Sequence, residues 1–244
     1  MVLTSIDIVN GTLSLIFVAI SIFVGLNIIL KYRKIKEKTL LYVGITWIIM
    51  CEPWWPHSIS FVLALATGNG LNVQQFYFFA TTFVPIGLTA WLKAFTDLIS
   101  KKKQNLILSI AILGQGIFEV IFFYFLFTNP SIIAEMRTPV DAETKSFVLI
   151  YFLVVLCIFL ITGIIFAKKA MKSDKAETKV KGKILFAAIL LYVIGAILDG
   201  VVATEYITLF ISRIILASSA IAFYNGFILP NWLKKRIIKT ESSN

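Results

Sequence analysis

Residues 6–30 read IDIVNGTLSLIFVAISIFVGLNIIL, and the first basic residue, Lys31, follows at once. A helix needs roughly 20 mostly apolar residues to cross a bilayer, and this stretch meets that length with Asp7 as its sole charge. It has no basic segment ahead of it and is too long for the apolar part of a cleavable signal peptide. It is expected to be a true first helix. Working outward, comparable runs recur at 39–66, 75–99, 104–128, 147–167, 184–204 and 205–229. These runs are continuous instead of alternating over about ten residues, which argues against a transmembrane barrel. The expected fold is an all-α membrane protein, a seven-transmembrane bundle over residues 1–230 with a short basic tail at 231–244.

Composition agrees. Of 244 residues, 59% are hydrophobic, 15% are charged and 21 are Phe. One soluble domain of this size cannot hide so much apolar surface and keep a polar skin. That argues against a soluble enzyme or a nucleic-acid binder. The net charge of +10 has a different meaning in a membrane protein, where Lys and Arg report orientation. The connectors after spans one, three and five, together with the tail, carry 19 of the 23 Lys and Arg. The opposite connectors carry only Arg137 and Lys145. The expectation is an N-terminus outside, a C-terminus in the cytoplasm, and a multi-pass protein of the cell membrane. The basic connectors 31–38 and 168–183 are expected to meet anionic headgroups at about 1 kcal/mol per residue. Cys51 and Cys157 lie in apolar runs and read as small apolar side chains.

Ionisable residues inside a bilayer are expensive, so each one needs a reason. Counting about 1.5 Å per residue, Glu52 falls near the midplane, while His57, Glu119, Asp199 and Arg213 fall in the outer half. Arg213 has Glu119 and Asp199 as candidate counter-ions. Gln115 lies one turn from Glu119 on the same face, and Tyr192 shares a face with Asp199. Lys93 and Asp97, four residues apart near the cytoplasmic surface, read as a simple ion pair.

The segment Glu52-Pro53-Trp54-Trp55-Pro56-His57 is the most distinctive in the chain. Pro53 and Pro56 remove two backbone donors and free the carbonyls of Ile49 and Glu52. Pro85 predicts a second kink. Such breaks survive in a membrane only where protein or water satisfies the freed groups. An acid, an imidazole and two indoles are expected to converge on a pocket at this break. The expected cavity residues are Glu52, Trp54, Trp55, His57, Gln115, Glu119, Tyr192, Asp199 and Arg213, with Pro53, Pro56 and Pro85 as kink points.

Several chemistries are missing. The stretch Leu216-Ala217-Ser218-Ser219-Ala220 lacks the lysine that a retinal protein needs in its last helix. With His57 as the single histidine, paired-histidine haem ligation and a zinc hydrolase site are excluded. Asp199-Gly200-Val201-Val202-Ala203 resembles the opening of the phosphatidyltransferase aspartate motif, but the downstream aspartates are absent. The expectation is no enzyme, no cofactor, no metal and no nucleic-acid partner. Asn10-Gly11-Thr12 has the form of a glycosylation sequon.

Leu40-Leu41-Tyr42-Val43-Gly44-Ile45-Thr46-Trp47, followed by Glu52 and the tryptophans, precedes a Pro-centred run with Phe83-Val84-Pro85, Trp91, Phe95-Thr96 and Lys101-Lys102-Lys103. This pattern, over residues 39–103, resembles the seven-transmembrane sensor region of prokaryotic histidine kinases. It departs from it in lacking the kinase segment and in its double-Trp, double-Pro motif. The general layout also resembles microbial rhodopsins without their lysine. The resemblance implies a receptor-like sensor in signal transduction, with a small or lipid-derived ligand in the outer half and a separate cytoplasmic signalling partner. Two other classes stay open. One is a transporter or proton-coupled carrier using Glu52 and Glu119. The other is a structural or lipid-interacting membrane protein.

Overall fold

The computed structural model describes residues 3–202, 206–230 and 234–235. Most of the tail expected at 231–244 therefore lies outside the described residues. Nine α-helices are described: α1 (Ser5–Ile35), α2 (Lys38–Met50), α3 (Trp55–Thr67), α4 (Val73–Thr81), α5 (Val84–Ile99), α6 (Gln104–Thr128), α7 (Ser146–Met171), α8 (Ala176–Ile197) and α9 (Tyr206–Ile228). Six helical stretches among the described residues are long and apolar enough to cross a membrane. The chain is a helical, multi-pass integral membrane protein.

The expected span 39–66 is not one helix. It is α2 and α3, each 13 residues long, joined by a 3-10 turn at Glu52–Trp54. Pro53 and Pro56 sit at the starts of the new segments, where a missing N–H costs least. The freed carbonyls find local donors: Cys51 N–H bonds Ile49 O, and Trp55 N–H bonds Glu52 O. The run 75–99 is likewise divided into α4 and α5, with Pro85 in the first turn of α5. The sixth span ends in a π-turn, Leu198–Val202.

Sequence signals explain the ends. Thr4 and Asp7 form a capping box on α1, and Asn72 and Gln75 form one on α4. Gly68 closes α3 at φ 78°, a left-handed position suited to glycine. At the opposite end of the bundle, basic residues cap helix C-termini. Lys31 Nζ donates to Ile228 O at 3.2 Å, and Lys169 Nζ to Leu98 O at 2.7 Å. Lys93 pairs with Asp97 at 3.0 Å, as its spacing predicts.

A buried core runs through the bundle, with Trp47 stacked on Phe223 and Trp91 against Phe159. α1 packs on α2 and α9, α8 on α7 and α9, and α2 on α5. α6 is the outlying helix, burying Gln104, Gln115, Phe122 and Leu126 and exposing a long apolar face. One element departs from the all-α expectation. The connector after α6 forms a two-stranded antiparallel hairpin, β1 (Ala134–Met136) and β2 (Ala142–Thr144), with Glu135 opposite Glu143.

Glycine sets the α1–α2 approach. A Cβ on Gly25 would lie 2.4 Å from Ile48 Cγ1 and 2.8 Å from Gly44 O. A Cβ on Gly11 would strike the Phe61 ring. These small residues serve packing within one chain. Gly25→Leu is expected to cost about 1–3 kcal/mol through overpacking. Gly114→Leu, where a Cβ has nothing within 4 Å, should cost almost nothing. Thermal unfolding in detergent micelles compares the two.

Candidate functional site

The end of the bundle away from the basic connectors contains a cavity of about 600 Å³. It runs from the half-exposed hairpin residues Arg137 and Glu143 to Met50 and Tyr192 at the helix break. α1 supplies Asp7 and Asn10, α8 and its π-turn supply Tyr192 and Asp199, and α9 supplies Arg213. Phe76, Phe152 and Leu156 give it apolar wall.

Arg213 is its centre. Its side chain is 2% exposed, and its Nη1 lies 3.4 Å from Asp199 Oδ2. Nη2 donates to Asn10 Oδ1 at 2.9 Å. Asp199 also accepts from Ser212 Oγ at 2.9 Å and from Trp54 Nε1 at 2.7 Å. The guanidinium carbon lies 5.9 Å from the Trp54 ring centroid, within cation–π range. Arg213 Nε and Nη1 nevertheless have no hydrogen-bond acceptor among the described residues. Nη1 faces Asp199 as an ion pair, so Nε is the donor left for an acceptor on a guest molecule. Its partner is Asp199 and not Glu119, which lies elsewhere in the bundle. Asn10 is buried and bonded to Arg213, a setting that does not suit a glycosylation acceptor.

The hairpin lies over this cavity and is tied to the bundle at three points. Ser60 Oγ donates to Pro139 O, and Tyr77 and Thr144 share a hydroxyl bond at 2.6 Å. His57 Nδ1 lies 2.9 Å from Val140 O. The shorter of its two contacts is with this carbonyl, which only accepts; Asn10 Nδ2 lies 3.5 Å from the same nitrogen. Asp141 Oδ1 is 3.8 Å from the same nitrogen. Arg137 pairs with Glu143 at 3.2 Å on the hairpin itself.

The acid, the imidazole and both indoles do not converge. Trp54, His57 and Pro53 line the cavity, together with Tyr192, Asp199 and Arg213. Glu52, Trp55, Gln115 and Glu119 do not line it. Successive helical residues turn by about 100°, so neighbours in sequence diverge. Trp55 Nε1 turns to Cys51 Sγ at 3.2 Å. Glu52 turns to the second break, where Phe83 N–H donates to its Oε1 at 2.8 Å. Gln115 Nε2 donates to Thr89 Oγ1 and Ala111 O, each at 3.1 Å.

Asp7, Arg137, Asp141 and Glu143 line the cavity without being candidates from the sequence. A signal for three of them was present. Glu135, Arg137, Asp141 and Glu143 alternate about Pro139, the two-residue period of a hairpin. Compared with known protein families and curated proteins, the chain matches none of them.

The Arg213 cluster sets a stability prediction. Arg213→Met or Asp199→Asn alone should cost about 3–5 kcal/mol, because each leaves an uncompensated buried charge or polar group. The double variant should cost clearly less than the sum. A double-mutant cycle by unfolding in micelles reads the coupling.

Proposed function

We propose that the chain is a receptor-like membrane sensor whose cavity binds a small, amphipathic or lipid-derived ligand. One observation carries this reading: a cavity of drug-like volume surrounds a buried guanidinium with an unused donor. In this reading the chain crosses the cell membrane seven times, counting the broken α2–α3 segment as one crossing. The N-terminus and hairpin face outward, and the basic connectors face the cytoplasm and its anionic lipids. The distribution of Lys and Arg supports that orientation.

The cavity's charges narrow the ligand. Among the described residues lining it, Asp7, Asp141, Glu143 and Asp199 face only Arg137 and Arg213 as full cations. A zwitterion or a neutral polar group with an apolar tail suits this lining better than a simple anion. The joint between α2 and α3 is the element that would respond, since Pro53 and Trp54 touch both the cavity and the break. Readout would pass to a separate cytoplasmic signalling partner.

A second reading is a carrier. Its support is the pair of discontinuous segments, α2–α3 and α4–α5, which meet at Glu52 and Phe83.

A metabolite and lipid panel tests the first reading by thermal shift of the purified protein. At least one zwitterionic or amphipathic compound should stabilise wild type, and Arg137→Ala should weaken that shift while leaving the ligand-free midpoint within about 2 °C of wild type. If no compound stabilises wild type, the receptor reading fails. Substrate flux in proteoliposomes, abolished in Glu52→Gln, would favour the carrier.

A further inference from the structure

The outer cavity has one unmatched acid at its hairpin end and one unmatched donor deeper in. Three of its four acids are already satisfied. Asp7 accepts the Thr4 N–H at 2.9 Å and the Thr4 hydroxyl at 2.6 Å. Glu143 pairs with Arg137 at 3.2 Å, and Asp199 with Arg213 at 3.4 Å. The Asp141 carboxylate meets no Lys or Arg among the described residues, only His57 Nδ1 at 3.8 Å. Arg213 Nε, on a side chain 2% exposed, has no acceptor among them. His57 and Asn10 stand between these two groups. Asn10 Nδ2 lies 3.5 Å from His57 Nδ1, and Asn10 Oδ1 accepts from Arg213 Nη2 at 2.9 Å. All four side chains line the cavity. A guest that answers both ends carries a cation for Asp141 and, several bonds away, an oxygen acceptor for Arg213. A zwitterion does so without changing the net charge of the cavity.

The apolar wall indicates where the rest of such a guest goes. Leu153 and Leu156 of α7 and Ala196 and Ile197 of α8 line the cavity. Toward the basic connectors the same two helices close on each other. The Phe159 and Tyr192 rings meet at 5.6 Å, and a Cβ on Gly163 would lie 2.7 Å from Ile189 Cδ1. At the level of the cavity, Leu153 is 38% and Ile197 41% exposed, beside the exposed Val154 and Ile194. Both helices are long and apolar enough to cross a membrane. The cavity wall therefore continues into apolar helix surface of the kind that faces lipid. A volume of about 600 Å³ holds a headgroup and the start of a chain, but not a whole two-chain lipid.

We propose that the cavity binds the headgroup of a bilayer aminophospholipid. The primary ammonium lies at Asp141, a phosphate oxygen accepts from Arg213 Nε, and the acyl chain leaves between α7 and α8. This inference rests on the reading of the cavity as a ligand site, and it specifies the class, orientation and source of the ligand. A primary ammonium donates hydrogen bonds to a carboxylate, which a quaternary one cannot.

The test follows unfolding midpoints of the purified full-length chain in an uncharged detergent. The probes are lysophosphatidylethanolamine, lysophosphatidylcholine and lysophosphatidylglycerol of one chain length, and glycerophosphoethanolamine, which has the headgroup without a chain. The ethanolamine lipid should raise the wild-type midpoint saturably, by about 5 °C or more. The choline and glycerol lipids should need about tenfold more for half-saturation. Glycerophosphoethanolamine should give no shift at the concentration that saturates its lipid counterpart. Arg213 variants can fail to fold, so the variants sit at more exposed positions. Asp141→Asn should remove the preference for ethanolamine over glycerol. Leu153→Trp should obstruct the chain and weaken half-saturation by about tenfold. Lys102→Ala, on the exposed basic connector after α5, should change nothing, which separates the cavity from headgroup binding there. The proposal is overturned if the glycerol or choline lipid matches the ethanolamine lipid, or if either cavity variant behaves as wild type. It is also overturned if glycerophosphoethanolamine or another chain-free compound stabilises as well as the lipid does. In that case the cavity remains a ligand site and only the lipid assignment falls. A wild type that no compound stabilises removes both.

Discussion

In the middle of an apolar segment, Pro53 and Pro56 leave the backbone short of two donors, and no bulk water is there to replace them. The surrounding structure is arranged around that shortage. Cys51 and Trp55 turn their N–H groups to the freed carbonyls. Tyr192 reaches across from α8 to bond Met50 O at 2.6 Å. Glu52 accepts the Phe83 N–H at the neighbouring break, so one discontinuity satisfies the other. A polar joint that would be intolerable facing lipid is sustained because α1, α4 and α8 close around it.

The joint also explains why the polar residues fall in two groups. Its short 3-10 turn sends Trp54 toward α8 and α9, where the indole meets Asp199 and Arg213. It sends Glu52 the other way, to the Phe83 N–H at the break between α4 and α5. One group lines a sizeable cavity beneath a hairpin. The other leaves Glu52 Oε2 buried without a hydrogen-bond partner among the described residues. A single bend thereby places a ligand-sized space on one side and the buried Glu52 on the other.

Charge is handled differently at the two ends. Near the basic connectors, Lys31 and Lys169 spend their donors on exposed helix carbonyls, and Lys93 meets Asp97. These contacts keep charge near the polar surface. At the other end Arg213 and Asp199 are drawn inside and held by Asn10, Ser212 and Trp54. Buried pairs of this kind contribute specificity of packing more than net stability.

By itself the sequence determined the apolar runs, the helix class, the proline breaks and the segregation of basic residues. Each of these follows from local composition and from the length a bilayer imposes. The Lys93–Asp97 pair was legible because helical spacing alone brings i and i+4 together. Which acid would meet Arg213 was not legible, because both Glu119 and Asp199 fell in the outer half by depth and only the helix neighbours distinguish them. The hairpin left a trace in the charges that alternate about Pro139, but its position over the cavity was not legible. Tertiary structure decided these points because rotation about each helix axis, which sets the partner of every side chain, depends on packing between helices and not on depth along any one of them.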